Sequence, residues 1–246
     1  MPDIARGAAR ILAAARRSLA VEPRGEPDRP LLEAALLFSA LYLISFVPSD
    51  AAAAGRALSE PRYHCLLLLE LLPRSMLVLY LMARAEGLAA FGLRPPRRAD
   101  LGAGALAALG ALGVALLPAW AFSGLGWTNP LLDSACAPGA TALLVPLVLA
   151  SALAIGYGEE LFFRVYLIKR LGQAGLPPLW AALASTLAFG SAHGLQGLPG
   201  LVVASGLGAW FAWRWLKGRN IHEIAIGHAL YDALVMGIAI WGGAGS

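Results

Sequence analysis

Between residues 31 and 241 the chain is one apolar stretch after another, at about 31–47, 64–84, 101–122, 140–168, 179–196, 199–216 and 222–241. A helix that crosses a bilayer needs about 20 predominantly apolar residues. In hydrocarbon each backbone polar group must be satisfied internally, which makes such spans helices. Turn-rich breaks separate them: Pro48 to Pro61, Gly92 to Arg98, Gly124 to Gly139, Gly172 to Pro178, Gly194 to Gly200 and Lys217 to Asn220. The expected fold class is therefore all-α, a polytopic transmembrane helix bundle of about seven spans, with eight as the alternative.

Composition agrees. Hydrophobic residues make up 59% and charged residues 14%, where soluble domains run near 45–50% and about 25%. No large soluble domain fits. Three zones are expected: a basic amphipathic segment at 1–30, N-terminal transmembrane helices at 31–139, and a core at 140–241 that carries the unusual residues. In 1–30, Ile4, Ala8, Ile11, Leu12, Ala15 and Leu19 recur at helical spacing, and no apolar run there is long enough for a signal peptide. This is the pattern of a helix lying on a membrane surface.

The formal charge is +4. Its distribution points to a membrane rather than to nucleic acid, and no nucleic-acid motif is present. The N-terminal 30 residues hold six Arg; Arg84, Arg94, Arg97 and Arg98, then Lys169 and Arg170, then Arg214, Lys217 and Arg219 follow at every second break. The intervening breaks hold only Arg56 and Arg62. The positive-inside rule places the N-terminus in the cytoplasm and the C-terminus outside. An integral protein of a bacterial inner membrane is the expected location.

Against this background the fourth apolar stretch stands out, because Glu159, Glu160 and Arg164 lie inside it. A charge at the bilayer centre costs about 2.5–3.5 kcal/mol on insertion scales, so such residues mark a functional site by default. His193 lies in the next stretch, and His228 and Asp232 in the last. Counted at 1.5 Å per helical residue from the cytoplasmic ends, Glu160 and His228 each lie about 14 Å deep and His193 about 20 Å deep. Three spans thus bring ionisable groups to one layer, in the middle or inner half of the bilayer.

Glu160 and Arg164 are i and i+4, with Glu first, the favoured order for a helical pair. Arg164 can neutralise Glu160, and the pair alone reads equally as a structural salt bridge. Glu159 points about 100° away, without a partner in its own helix. Phe189 and His193 share a face, and so do His228 and Asp232. Together these residues suit water activation: a Glu accepts the proton, one His positions the water, and the second stabilises an oxyanion. No Ser or Cys nucleophile is evident, Ser185 and Ser191 lacking a nucleophile-elbow context. Two His and a carboxylate also suit zinc with an open position. A divalent metal on Glu159, His193 and His228 is thus the alternative to the expected absence of a cofactor. A proton-coupled transporter would use buried carboxylates too, but it should show inverted repeats, and none is apparent.

Glu159-Glu160-x-x-x-Arg164, Phe189-x-x-x-His193 and His228-x-x-x-Asp232, in this order, resemble the E-E-x-x-x-R, F-x-x-x-H and H-x-x-x-N motifs of the CPBP family of intramembrane proteases. That family includes the type II CAAX prenyl endopeptidases and bacteriocin-immunity relatives. The resemblance covers roughly residues 140–241, with a lead-in at Phe91-Gly-Leu-Arg94-Pro95. It implies an endopeptidase for a protein or peptide substrate, with a C-terminal or leader segment as the expected place of cleavage. Glu159 would be the general base, His193 its partner on the attacking water, and His228 with residue 232 the oxyanion hole. Glu160 and Arg164 would support them. The departure is Asp232 in place of Asn, since an ionised Asp cannot donate to an oxyanion. Some relatives act without proteolysis, so a membrane scaffold or immunity factor is the alternative function.

Three smaller expectations complete the reading. Glu70 and Arg74 form an i, i+4 pair facing the bundle interior, or contact a substrate carboxylate. Trp210, Trp213 and Trp215 at the inner face, with Trp127 and Trp241 at the outer, form interfacial belts. Cys65 and Cys136 both lie near the non-cytoplasmic face, where a disulfide is permitted.

Overall fold

The structure is a computed structural model and describes residues 28–47, 49–135 and 144–242. Cys136 and nearly all of the basic segment at 1–30 lie outside the described residues. Helix α1 (Asp28–Tyr42) runs on through a 3-10 turn (Leu43–Phe46). The short α2 (Ala51–Ala57) precedes α3 (Pro61–Ala85), and a 3-10 turn (Leu88–Phe91) leads to α4 (Arg98–Gly124). After the one-turn α5 (Pro130–Asp133), α6 (Leu144–Glu160) passes into a π-helical segment (Leu161–Leu167) and α7 (Ile168–Gln173). Then come α8 (Pro178–Ser191), a 3-10 turn (Gly194–Gln196), α9 (Gly197–Gly218) and α10 (Ile221–Trp241).

Local chemistry sets the helix starts. Asp50 caps α2 by accepting from the N–H groups of Ala52 and Ala53, and Asn129 caps α5 over Leu131 and Leu132. Pro61 and Pro178 open α3 and α8, where a missing N–H costs nothing. Arg219, at φ 51°, takes the left-handed conformation that turns the chain from α9 into α10.

No strand occurs among the described residues, and six helices are long and apolar enough to span a bilayer: Arg29–Phe46, Pro61–Ala85, Arg98–Gly124, Leu144–Gln173, Gly194–Gly218 and Ile221–Trp241. The all-α membrane bundle is thus what the chain forms. The stretch expected at 179–196 is shorter than anticipated. Its helix, α8, has 14 residues and reaches about 21 Å, because the backbone turns at Ala192 and His193 begins a 3-10 turn.

The bundle turns apolar side chains outward. Leu69, Leu72 and Met76 of α3 and Leu116, Leu117 and Trp120 of α4 are all exposed, as lipid contact requires. Inside, all seven residues of the π segment are buried. Small residues let α6 and α10 touch: a Cβ on Gly156 would lie 2.5 Å from the Ala225 carbonyl oxygen and 2.9 Å from the Ala229 nitrogen. The tryptophan belt needs a correction. Trp215 is 1% exposed and belongs to the core around the π segment, because it faces inward on α9. Trp210 packs on Gly110 and donates to the Ala107 carbonyl at 3.0 Å. Trp213, beneath Lys217, and Trp127 stay exposed.

The helix ends form two distinct layers. At one end Arg170 pairs with Glu33 of α1 at 3.1 Å, and Lys169 pairs with Glu86 at 3.0 Å. Arg94 donates to Asp100 and Asn220, while the Arg94 carbonyl accepts from His222 Nε2–H at 2.8 Å. At the other end His64 bridges α3 to α6: Nε2–H donates to the Leu58 carbonyl at 2.9 Å, and Nδ1 accepts from the Ser151 hydroxyl at 3.0 Å. There too Asn129 donates to Gln196.

Candidate active site

Glu160 lies at the junction of α6 and the π segment, and an imidazole and a guanidinium converge on it. Its Oε1 accepts from His228 Nδ1–H at 2.9 Å, and its Oε2 lies 3.1 Å from Arg164 Nε. Glu160 and Arg164 are both fully buried. The Arg164 contact is an ion pair rather than a directed hydrogen bond. The guanidinium is also stacked over Phe189, 4.2 Å from the ring centroid, a cation–π contact.

Phe189 is the hub of the site. Besides Arg164, it touches His193 at 4.6 Å between ring centroids and His228 at 5.9 Å. His228 is further fixed by stacking on Phe211 at 5.2 Å. With Nδ1 committed to Glu160, the other edge of the His228 ring faces two carboxylates. Its Nε2 lies 3.5 Å from Asp232 and 3.8 Å from Glu159. Glu160, not Asp232, therefore orients this imidazole through Nδ1. Asp232 is the neighbour in sequence, one helical turn away, whereas Glu160 is 68 residues distant.

His193 sits past the end of α8 and keeps its place by donating Nδ1–H to the Phe189 carbonyl at 2.8 Å. A carbonyl can only accept, so the proton is on Nδ1 and the Nε2 of a neutral ring is an acceptor. Ser185 and Ser191 are occupied elsewhere, donating to the Phe163 and Ala188 carbonyls.

Glu159, His193, His228 and Asp232 line one cavity of about 640 Å³. Glu160 and Arg164 stand behind its wall. Glu159 Oε2 is buried without a hydrogen-bond partner. Glu70 and Arg74 line the same cavity as an ion pair at 2.5 Å. Two residues the sequence did not single out join them: Tyr42, packed on Phe162 and Phe163, and Tyr231 beside Asp232. An aromatic residue at an unspecified position of a motif, or at the end of an apolar helix, carries no distinguishing signal in one sequence. Among the described residues, no group of three or more His, Cys, Asp or Glu side chains forms a metal-ligating cluster.

Searches of curated proteins and of solved structures found no match. A family model does match residues 141–234, and its description is type II CAAX prenyl endopeptidase Rce1-like. That interval begins before α6 and extends into α10, and every residue of the three motifs falls within it. Residues 141–234, which carry Glu159, His193, His228 and Asp232, are thus similar to the Rce1-like type II CAAX prenyl endopeptidases.

Proposed function

We propose that the chain is an intramembrane endopeptidase that hydrolyses a peptide bond with water activated by Glu159 and His193. The observation that carries this reading is the buried Glu159 Oε2, free of hydrogen bonds, on a cavity wall shared with both histidines. A buried carboxylate oxygen with no donor of its own is free to accept a proton from water.

Water held between Glu159 and the free Nε2 of His193 gives its proton to Glu159. Its oxygen attacks the substrate carbonyl, and the tetrahedral intermediate carries the negative charge on the former carbonyl oxygen. His228, held by Glu160 through Nδ1–H, acts as an imidazolium and donates its Nε2–H to that oxyanion. The C–N bond then breaks, Glu159 returns the proton to the departing amine, and a new carboxyl terminus remains. Arg164 and Phe189 fix Glu160 and both imidazoles, so that little reorganisation accompanies the reaction. Asp232, on the Nε2 side of His228, helps position the substrate amide or the imidazole. The substrate is a protein or peptide, and we favour carboxylate-activated water over a zinc-bound hydroxide. Stoichiometric zinc, with activity lost on chelation and restored by metal, would replace the first with the second.

The test compares membranes from cells carrying the wild-type protein or Glu159→Gln, with peptide termini mapped by mass spectrometry. New termini present only with the wild type are expected. Identical termini in both samples would leave the scaffold reading in its place.

A further inference from the structure

The cavity is one-sided. On α3 its lining runs from Tyr63 to Arg74, and on α4 it starts only at Leu112. On α9 it stops at Leu207, and on α10 it starts at His228. In each helix these residues fall in the half away from the Lys169–Glu86 and Arg94–Asn220 layer. The floor is closed. Below Glu159 stand Phe162, Phe163, Tyr166, Phe211 and Trp215, each 1% exposed or less. Among the described residues the upper rim is open, since Ser123, Trp127, Thr128 and Asp133 line the cavity and are exposed.

Charge distinguishes the same two ends. Fourteen Lys and Arg fall among the described residues. Arg29, Arg84, Arg94, Arg97, Arg98, Lys169, Arg170, Arg214, Lys217 and Arg219 lie at the closed end, whereas Arg56 and Arg62 alone lie at the open end. The ion pairs and hydrogen bonds at the closed end show that its loops form one physical layer. The positive-inside rule counts Lys and Arg near span ends and is indifferent to acidic residues, so the carboxylates in this layer do not weaken the assignment.

We infer that the cavity opens to the non-cytoplasmic face of the membrane and is sealed from the cytoplasm. Resting on the protease reading, the substrate is then a polypeptide segment displayed on that face, in an extended form that can enter between the α3 and α4 walls. Translocation across the membrane must supply it. A modified C-terminus that remains in the cytoplasm could not reach Glu159. The cavity's polar rim of Thr128, Asn129, Asp133 and Gln196 suits backbone hydrogen bonding by such a segment.

The direction of entry is testable without a substrate. Cys65→Ser and Cys136→Ser clear the background, and single cysteines are then installed at the rim (Thr128→Cys), within the cavity (Val203→Cys) and at the closed end (Lys217→Cys). Intact cells are treated with a membrane-impermeant thiol reagent. Thr128→Cys and Val203→Cys should be labelled from outside, and Lys217→Cys only after the inner face is opened. Labelling of the cavity cysteine from the cytoplasmic side alone, or from neither side, overturns the inference. If Val203→Cys does not accumulate, Ala119→Cys, also on the lining and exposed, carries the same test. The termini mapped with the wild-type protein should lie in non-cytoplasmic segments, and cuts confined to cytoplasmic ones also overturn it. Outside labelling with no cleavage would remove the protease reading and leave the access route standing.

Discussion

Glu160 joins two helices that are far apart in sequence, accepting from His228 Nδ1–H at 2.9 Å while holding Arg164 at 3.1 Å. Two adjacent carboxylates consequently have separate duties. Glu159 faces the cavity, and Glu160 faces the core.

That division predicts a split between activity and stability. Glu159→Gln should abolish cleavage with little change in thermal midpoint. Glu160→Gln leaves the Arg164 guanidinium buried without its counter-charge, which costs about 3–5 kcal/mol when one partner of a buried pair is removed. Thermal unfolding in detergent should show a much lower midpoint for Glu160→Gln than for Glu159→Gln. Equal midpoints would mean that Glu160 and Arg164 do not form a core pair.

Asp232 lies 3.5 Å from His228 Nε2. An asparagine side chain at this position would keep the volume and add a donor, so Asp232→Asn should retain cleavage within about tenfold of wild type, equivalent to about 1.4 kcal/mol in the barrier. Asp232→Leu removes every polar atom there and should lose far more. A wild-type rate for Asp232→Leu would take this residue out of the site.

Gly156 sets the distance between α6 and α10. A methyl group there meets the Ala225 carbonyl oxygen, which belongs to backbone and cannot swing aside. Overpacking of this kind costs about 1–3 kcal/mol. Gly156→Ala should lower the thermal midpoint and reduce cleavage together, since separating the helices also stretches the Glu160–His228 bond. Full activity in Gly156→Ala would show that the helix spacing is not critical.

Outside the spans, Glu86 gives a pH dependence. Burial pushes its carboxyl up, but hydrogen bonds from Lys169 and Gln173 and the charges of Lys169 and Arg170 outweigh this and hold it below the usual value. A pKa depressed by folding contributes stability that is present above the unfolded pKa, about 4.3 for Glu. That contribution is lost as pH falls through the folded pKa. The wild type should therefore lose an advantage over Glu86→Gln as pH drops below about 4.3. A partly exposed pair of this kind contributes up to about 1 kcal/mol. Parallel midpoint curves for the two proteins across that range would rule the pair out as a source of stability.

The apolar runs disclosed most of the architecture because lipid allows so few backbone solutions. Charges stranded in those runs disclosed Glu159, Glu160 and Arg164 for the same reason. Other features were hidden by the nature of the signal. The Glu160–His228 bond is a long-range contact, and sequence spacing favours the local partner Asp232. α8 stops at Ser191, just before the turn-rich break at Gly194, and nothing in Ala192 and His193 themselves marks the helix end. Trp215 shares its composition with Trp213 two positions away. Only the packing of α9 separates the core residue from the exposed one.

The short α8 makes membrane thickness a variable of this site. Its 14 residues span about 21 Å, against a hydrocarbon core of about 30 Å. Non-helical backbone at such depth is tolerated only where it lines a water-filled space or is buried in protein. The turn that carries His193 must therefore draw water down to it or thin the bilayer around it. Each ångström of mismatch costs a fraction of a kcal/mol. Lipids with longer acyl chains should thus load that energy onto the turn at residues 192–197, where the His193 ring is held by one hydrogen bond to the Phe189 carbonyl and by its contact with the Phe189 ring.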